Sequence, residues 1–487
     1  MIYDVAVIGA GIIGASIARE LSKLQLNICL VEKSNDVSTG TSTANSGIIH
    51  AGYDPVPGTL MAKLNVEGAA LYPQWAKELH FDFKKIGSLV TAFSAEEMES
   101  VKELYERGKK NGVPDLKIVG KEELRKLEPE IAEEAEGALF AETAGIISPY
   151  QATWAIAENA VQNGVKLFLD AEVHGISRAE NGVWTLHAGR AEIEAKCVVN
   201  AAGLYADKIS AMAGARNFTI RPRRGEYFLL DSNCGDIARH VLFQVPGKMG
   251  KGVLVTPTVD GNILVGPTAG DSTLKENTAT TREGQEIIFD KGCRSIPGLP
   301  RRNIINSFAG VRAIAVNADG TPVNDFIIEE DSSVKGFINV AGICSPGLTA
   351  APAVGVYVKE IVCRIFGGKV QPAPDFIAIR RGIELFKNAS PEKKEQLIEQ
   401  NPLYGRIICR CEMITEAEIV QAVKSTIGAR DIDGVKRRTR AGMGRCQGGF
   451  CSPRVTEIIS RECGIPMTSV TKSGGCSYIL SAKTREV

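Results

Sequence analysis

Between residues 3 and 32 the chain runs apolar strand, glycine turn, apolar helix, strand and acid, and that succession leaves few folds open. Tyr3 to Ile8 reads as a buried strand, Gly9-Ala-Gly11-Ile-Ile-Gly14 as a tight turn, and Ile12 to Leu24 as a helix with apolar residues at helical spacing. Asn27 to Val31 is the next strand and ends at Glu32. Each position has a physical task in a dinucleotide fingerprint. Gly9 makes the turn and Gly11 lets the backbone approach a pyrophosphate at the helix N-terminus. Gly14 permits close packing of helix on strand, and Glu32 can hold ribose hydroxyls. A Rossmann-like α/β domain follows, but the loop alone does not separate FAD from NAD.

The 487 residues suffice for two or three domains, and 44% hydrophobic with 23% charged is ordinary globular composition. Lys plus Arg balances Asp plus Glu at 57 each, so no overall field draws nucleic acid or an anionic membrane, and any anion must be bound locally. Residues 1–8 lack the basic region and cleavage site of a signal peptide, and no run approaches a membrane span.

Four of the twelve cysteines form two close pairs near the end, Cys409-x-Cys411 and Cys446-Gln-Gly-Gly-Phe-Cys451. Two thiolate pairs can wrap a small iron–sulfur cluster. Paired cysteines also read as structural zinc, with two to four residues inside each pair, whereas the first pair here encloses only one. That tight pair, with Gly448 and Gly449 inside the second, resembles the bacterioferritin-associated-ferredoxin type of [2Fe-2S] domain over about 404–460. The resemblance implies Cys409, Cys411, Cys446 and Cys451 as ligands. The other eight cysteines are scattered as in a reducing cytosol, with Cys463 and Cys476 read as bystanders.

Ser38 to Gly52, containing Asn45-Ser-Gly-Ile-Ile-His50-Ala-Gly52, resembles the second FAD motif of the D-amino-acid-oxidase superfamily. The branch is that of the FAD-dependent glycerol-3-phosphate dehydrogenases and L-2-hydroxyglutarate oxidases. Val198-Val-Asn-Ala-Ala-Gly203 and Gly342-Ile-Cys-Ser-Pro-Gly347-Leu-Thr349, followed by an apolar helix from Ala350 to Phe366, resemble its later motifs. The resemblance implies FAD held by Gly9, Gly11, Gly14, Glu32, Lys33, Thr41, Ser42, Asn45, Ser46, Gly47, His50, Ala202, Gly203, Gly342, Gly347, Leu348 and Thr349.

Because these motifs stand at the start, middle and end, the nucleotide domain must be assembled from separated segments. We expect an oxidoreductase unit over 1–370, with FAD-binding segments of about 1–75, 150–215 and 335–370. An antiparallel substrate domain then fills 76–149 and 216–334. Within it, Arg223 to Leu230 and Gly252 to Thr256 read as strands and 95–136 as solvated surface helices. A connector at 371–404, a small helical [2Fe-2S] domain at 405–465 and a tail at 466–487 complete the expected α/β plus α+β architecture. The basic run Lys436 to Arg440 reads as a solvated face or a docking patch for an acidic partner.

A flavin takes a hydride, so the substrate carries a C–H beside an O–H or N–H whose proton leaves with it. Phe308-Ala-Gly-Val-Arg312 resembles a motif shared by both members of the branch, which implies Arg312 for the substrate anion. Lys251 and Tyr227 are candidates for further substrate contacts, Arg223 and Arg224 are weaker ones that could instead brace the sheet, and His50 is the candidate proton acceptor or else a hydrogen-bond partner of the flavin. The stretch around His50 is closest to the hydroxyglutarate branch, whereas the cysteine domain resembles the anaerobic type of glycerol-3-phosphate dehydrogenase. A cluster beside a flavin suits single-electron delivery. We therefore expect a flavin dehydrogenase of sn-glycerol 3-phosphate that hands electrons through the cluster to a second redox flavoprotein, an acceptor subunit or quinone. The alternatives are an L-2-hydroxyglutarate, other hydroxy-acid or amino-acid dehydrogenase, and an electron-transfer subunit with a vestigial pocket. The expected location is the cytoplasm, including the inner face of the membrane.

Overall fold

The glycine turn closes as its residues require. Strand Ile2–Ile8 enters Gly9 at φ +102, where an added Cβ would stand 2.5 Å from the carbonyl oxygen of Ala201. Helix Ile12–Leu21 then packs on the strand through Gly14, whose Cβ would lie 1.8 Å from the oxygen of Gly9. The computed structural model describes residues 1–246 and 252–484.

Strand Ile2–Ile8 is flanked in parallel by Ile28–Val31 and Ala191–Asn200 in an eight-stranded sheet. Phe337–Ala341 adds in parallel beyond Ala191–Asn200, so three distant stretches of sequence meet in one layer. Helices Ile12–Leu21, Pro149–Gln162 and Gly347–Ile365 bury their apolar residues in the core on this sheet. The last begins three residues before the expected Ala350, with Pro346 before its first turn.

The second sheet has nine strands. Its spine is the antiparallel pair Phe218–Leu230 and Ile304–Asn317, with Arg223 opposite Arg312 and Tyr227 opposite Phe308. The 95–136 stretch departs from the all-helical expectation. Helices Ala95–Lys110 and Lys121–Leu127 are separated by strand Leu116–Gly120, which pairs with Gly137–Ala141 and buries Val119 while exposing its lysine. Sheet pairing at an edge overrides the helical character of its charged neighbours. Among the described residues, no helix is long and apolar enough to cross a membrane.

The C-terminal unit has its own core around Ile419, Val435, Val455 and Ile459, built from a short hairpin and helices Glu416–Lys424, Ile432–Thr439 and Ser452–Cys463. Thr415 and Glu418 form a reciprocal capping box at its first helix. The stretch before it is anchored: Arg380 pairs with Glu158 at 2.5 Å and lies over Trp154. Residues after 466 fold back, with the N–H groups of Ile432 and Asp433 donating to the carbonyls of Thr471 and Lys472.

The basic run overturns both expectations for it. Arg437 and Arg438 reach Asp36 of the nucleotide unit at 2.6 and 2.7 Å, and Arg440 reaches Asp260 of the second sheet at 2.7 Å. These side chains are nearly buried, so the run docks the C-terminal unit on the chain's own front rather than facing solvent.

Candidate functional site

A cavity of about 1740 Å³ lies between the two sheets. Pockets of roughly 300–1,000 Å³ hold a drug-sized ligand, so this one has room for a dinucleotide and a small substrate together. One end is walled by Gly9, Gly11, Ile13, Glu32, Lys33, Ala202 and Gly203. Ser42 Oγ accepts the N–H of Ile12 at 2.9 Å, leaving Gly11 and Ile13 at the cavity wall to offer backbone donors to an anion. Glu32 is buried, with one oxygen accepting from Ala10 N at 2.8 Å and the other from Ser34 N at 3.0 Å. Each carboxylate oxygen keeps a further lone pair for a hydroxyl.

The 41–46 loop forms the cavity's middle. Thr41 Oγ1 donates to Val311 O at 2.7 Å, while Asn45 donates to the carbonyls of Thr41 and Ser42 and accepts from Gly47 N. Strand Ile304–Asn317 runs directly against this loop because residue 310 is glycine: a Cβ there would stand 1.9 Å from the oxygen of Ala44. That close approach is the structural reason for glycine inside Phe308-Ala-Gly-Val-Arg312.

Arg312, Tyr227 and His50 all line the cavity. Tyr227 stacks on Phe308 with centroids 5.0 Å apart. Burial raises its pKa against the opposing pull of Arg312 and a hydrogen bond with Ser46, so its hydroxyl stays protonated. His50 is held from both sides of its backbone, by Thr349 Oγ1 at 2.9 Å and Asn65 Nδ2 at 3.1 Å, and its ring stacks on Phe243.

Of the residues implied for FAD, Gly14, Gly47, Gly342 and Thr349 stand off the cavity surface. Gly14 serves helix packing, and Thr349 links His50 N to Ile48 O. Gly347 and Leu348 line the wall. Lys251 lies outside the described residues. Arg223 lines the cavity with its guanidinium paired to Asp271 at 2.9 Å, and Arg224 pairs with buried Glu226. Sequence reasoning missed Phe243, Gln244, Lys291 and Arg294 on the same wall. The first two belong to the unremarkable strand Val241–Gln244, where no motif marks them. The latter two come from the helix Arg282–Ser295.

The four cysteines meet as two pairs. Cys411 Sγ lies 3.6 Å from Cys446 Sγ. A tetrahedral metal with thiolates at about 2.3 Å, as for zinc, places two sulfurs roughly 3.8 Å apart. In the second pair a hydrogen bond from Cys451 brings the Cys409 thiol down to about 6, and the N–H groups of Gly442 and Glu412 add to it against burial. Among the described residues no three His, Cys, Asp or Glu side chains converge as a single-ion site. Two pairs would supply two protein sulfurs each, the number that each iron of a [2Fe-2S] cluster needs. Cys463 instead accepts from Arg430, and Cys476 is exposed.

Residues 4–361 match the FAD dependent oxidoreductase family, and 407–461 match the BFD-like [2Fe-2S] binding domain. The chain is 50% identical over 483 residues to a glycerol 3-phosphate dehydrogenase of Caloramator mitchellensis, covering 99% of each. It is 38% identical to a glycerol 3-phosphate oxidase of Mycoplasma pneumoniae, over 77% of this chain and 97% of that one. A solved structure of dithionite-reduced L-α-glycerophosphate oxidase from Mycoplasma pneumoniae with FAD bound superposes with a TM-score of 0.73 at 36% identity. It spans 78% of this chain and 98% of that one.

Proposed function

The chain belongs to the FAD dependent oxidoreductase family and carries a BFD-like [2Fe-2S] binding domain, and from that premise we propose that it oxidises sn-glycerol 3-phosphate to dihydroxyacetone phosphate. The observation that carries the reading is that Arg312, Tyr227 and His50 line one cavity together with the 41–46 loop. The similarity to glycerol 3-phosphate dehydrogenase and oxidase supports the choice of substrate.

The 9–13 turn, Glu32, the 41–46 loop, Ala202, Gly203, Gly347 and Leu348 would hold FAD, which when bound would supply a two-electron acceptor, and Cys409, Cys411, Cys446 and Cys451 would hold a [2Fe-2S] cluster, which would supply one-electron chemistry. Arg312 binds the substrate phosphate through its planar fork. His50 takes the proton of the carbon-2 hydroxyl at an imidazole nitrogen while the carbon-2 hydrogen departs with its electron pair, leaving a ketone. Tyr227, kept neutral by burial, orients that oxygen.

Anaerobic mixing with a panel of substrates tests the reading through the flavin's visible absorbance. Bleaching by glycerol 3-phosphate and not by L-2-hydroxyglutarate is expected. The reverse selectivity would move the chain to the hydroxy-acid branch, and bleaching by neither would favour an electron-transfer subunit with an idle pocket.

A further inference from the structure

One side chain, Arg440, touches all three parts of the molecule. Its side chain is 7% exposed. Nη1 donates to Asp260 Oδ2 at 2.7 Å and to the Tyr150 hydroxyl at 3.3 Å, Nη2 to Asn262 Oδ1 at 3.1 Å, and Nε to Glu412 Oε2 at 2.8 Å. Asp260 and Asn262 belong to the turn between strands Leu254–Pro257 and Ile263–Gly266 of the second sheet. Tyr150 opens the helix Pro149–Gln162 of the nucleotide unit, and Glu412 directly follows the ligand Cys411.

The backbone at Arg440 is left-handed, φ +71, at the end of helix Ile432–Thr439. Glycine is the ordinary choice for such a helix end. A desolvated guanidinium there is costly unless every arm is met, and a buried charge is no efficient source of stability. What the fork supplies in return is direction, since four partners on three elements are fixed in one plane.

The contacts also connect the two redox sites. Ile48 lines the cavity, and its neighbour Gly47 accepts from Ile147 N at 2.8 Å. Three residues beyond Ile147 stands Tyr150, which meets Arg440 and also lies 3.3 Å from Met443 Sδ. Arg440 then meets Glu412 beside Cys411, and two residues beyond Arg440 the N–H of Gly442 points at Cys409.

We propose that Arg440 is the positioning residue that registers the cluster-bearing loops against the flavin cavity, and so governs how fast electrons cross inside the chain. This rests on the relay reading given above. The holoenzyme variants Arg440→Gln, Arg440→Lys and Asp260→Asn test it. Iron content and the dithionite-reduced paramagnetic signal report cluster retention. Freeze-quenching after anaerobic mixing with glycerol 3-phosphate reads flavin bleaching and growth of the cluster signal separately.

We expect bleaching to be unchanged and the cluster signal to grow about tenfold or more slowly in Arg440→Gln, because small misplacements at a transfer site have large kinetic effects. Asp260→Asn should slow it less, and Arg440→Lys should restore part. Hydrogen exchange should rise together at 409–413 and 257–263. An unchanged rate in cluster-replete Arg440→Gln would overturn the inference. So would loss of the cluster from that variant while Asp260→Asn transfers at the wild-type rate, since Arg440 would then serve only to retain the cluster. A wild-type enzyme whose flavin bleaches without any cluster signal would instead overturn the relay reading itself.

Discussion

Arg438 and Asp36 form a two-pronged ion pair, Nη1 to Oδ2 at 2.7 Å and Nη2 to Oδ1 at 2.8 Å, across the joint between the C-terminal unit and the nucleotide unit. Both side chains are at most 5% exposed. Removing one partner leaves the other charge buried, which costs about 3–5 kcal/mol. Asp36→Asn should therefore undock the C-terminal unit, seen as faster tryptic cleavage within 371–404 at unchanged flavin content. Burial alone would raise the Asp36 pKa, but Arg438 and Arg437 outweigh it and the net shift is downward. A lowered carboxylate contributes stability above its unfolded value, about 3.9, and loses it as pH falls through the folded value. Docking should hold at neutral pH and fail only in strong acid, which a cleavage series against pH checks.

Gly310 carries a second prediction. A methyl group there would collide with backbone at Ala44, and backbone cannot swing aside as a side-chain tip can. Overpacking of this kind costs about 1–3 kcal/mol. Because the displaced loop lines the middle of the cavity, where we propose that it helps to hold FAD, Gly310→Ala should be purified with substoichiometric FAD and release it faster on dilution, read from the fluorescence of free flavin. Full, tightly held flavin would show that the loop relaxes without consequence.

The nucleotide fold was legible because its glycines answer local demands: Gly9 needs positive φ and Gly14 needs absent bulk, and both leave a motif. The cysteine pairs were legible for the same reason. The docking role of Arg437, Arg438 and Arg440 was not, since a basic run looks alike whether its acids lie in solvent, in a partner or, like Asp36 and Asp260, 402 and 180 residues away in the same chain. Phe243 and Gln244 escaped because a short buried strand carries no mark of the cavity it borders. Strand Leu116–Gly120 escaped because its pairing partner, not its composition, decides its state.

Arg312 should separate binding from cofactor retention. With the substrate anion deprived of its partner, Arg312→Ala is expected to keep FAD and lose on the order of 3–5 kcal/mol in kcat/KM. Arg312→Lys, which retains the charge without the fork, should recover only part. Steady-state kinetics on flavin-replete protein decide this, and an unchanged kcat/KM in the alanine variant would remove Arg312 from the substrate site.

Cys411 tests the relay from its exposed end. Its sulfur lies 3.6 Å from that of Cys446, so with the proposed four cysteines as ligands alanine there would leave one cluster iron short of a protein ligand. The flavin cavity is walled by other elements, and anaerobic bleaching by substrate should persist in Cys411→Ala. The paramagnetic signal of the reduced cluster should vanish, and reoxidation by the physiological acceptor should slow. Iron analysis of wild-type protein purified without air checks the premise, and one equivalent of zinc with no iron would sink it. Normal turnover with the acceptor in the cluster-free variant would make the C-terminal unit structural, its buried arginines then holding the two sheets together and carrying no electrons between them.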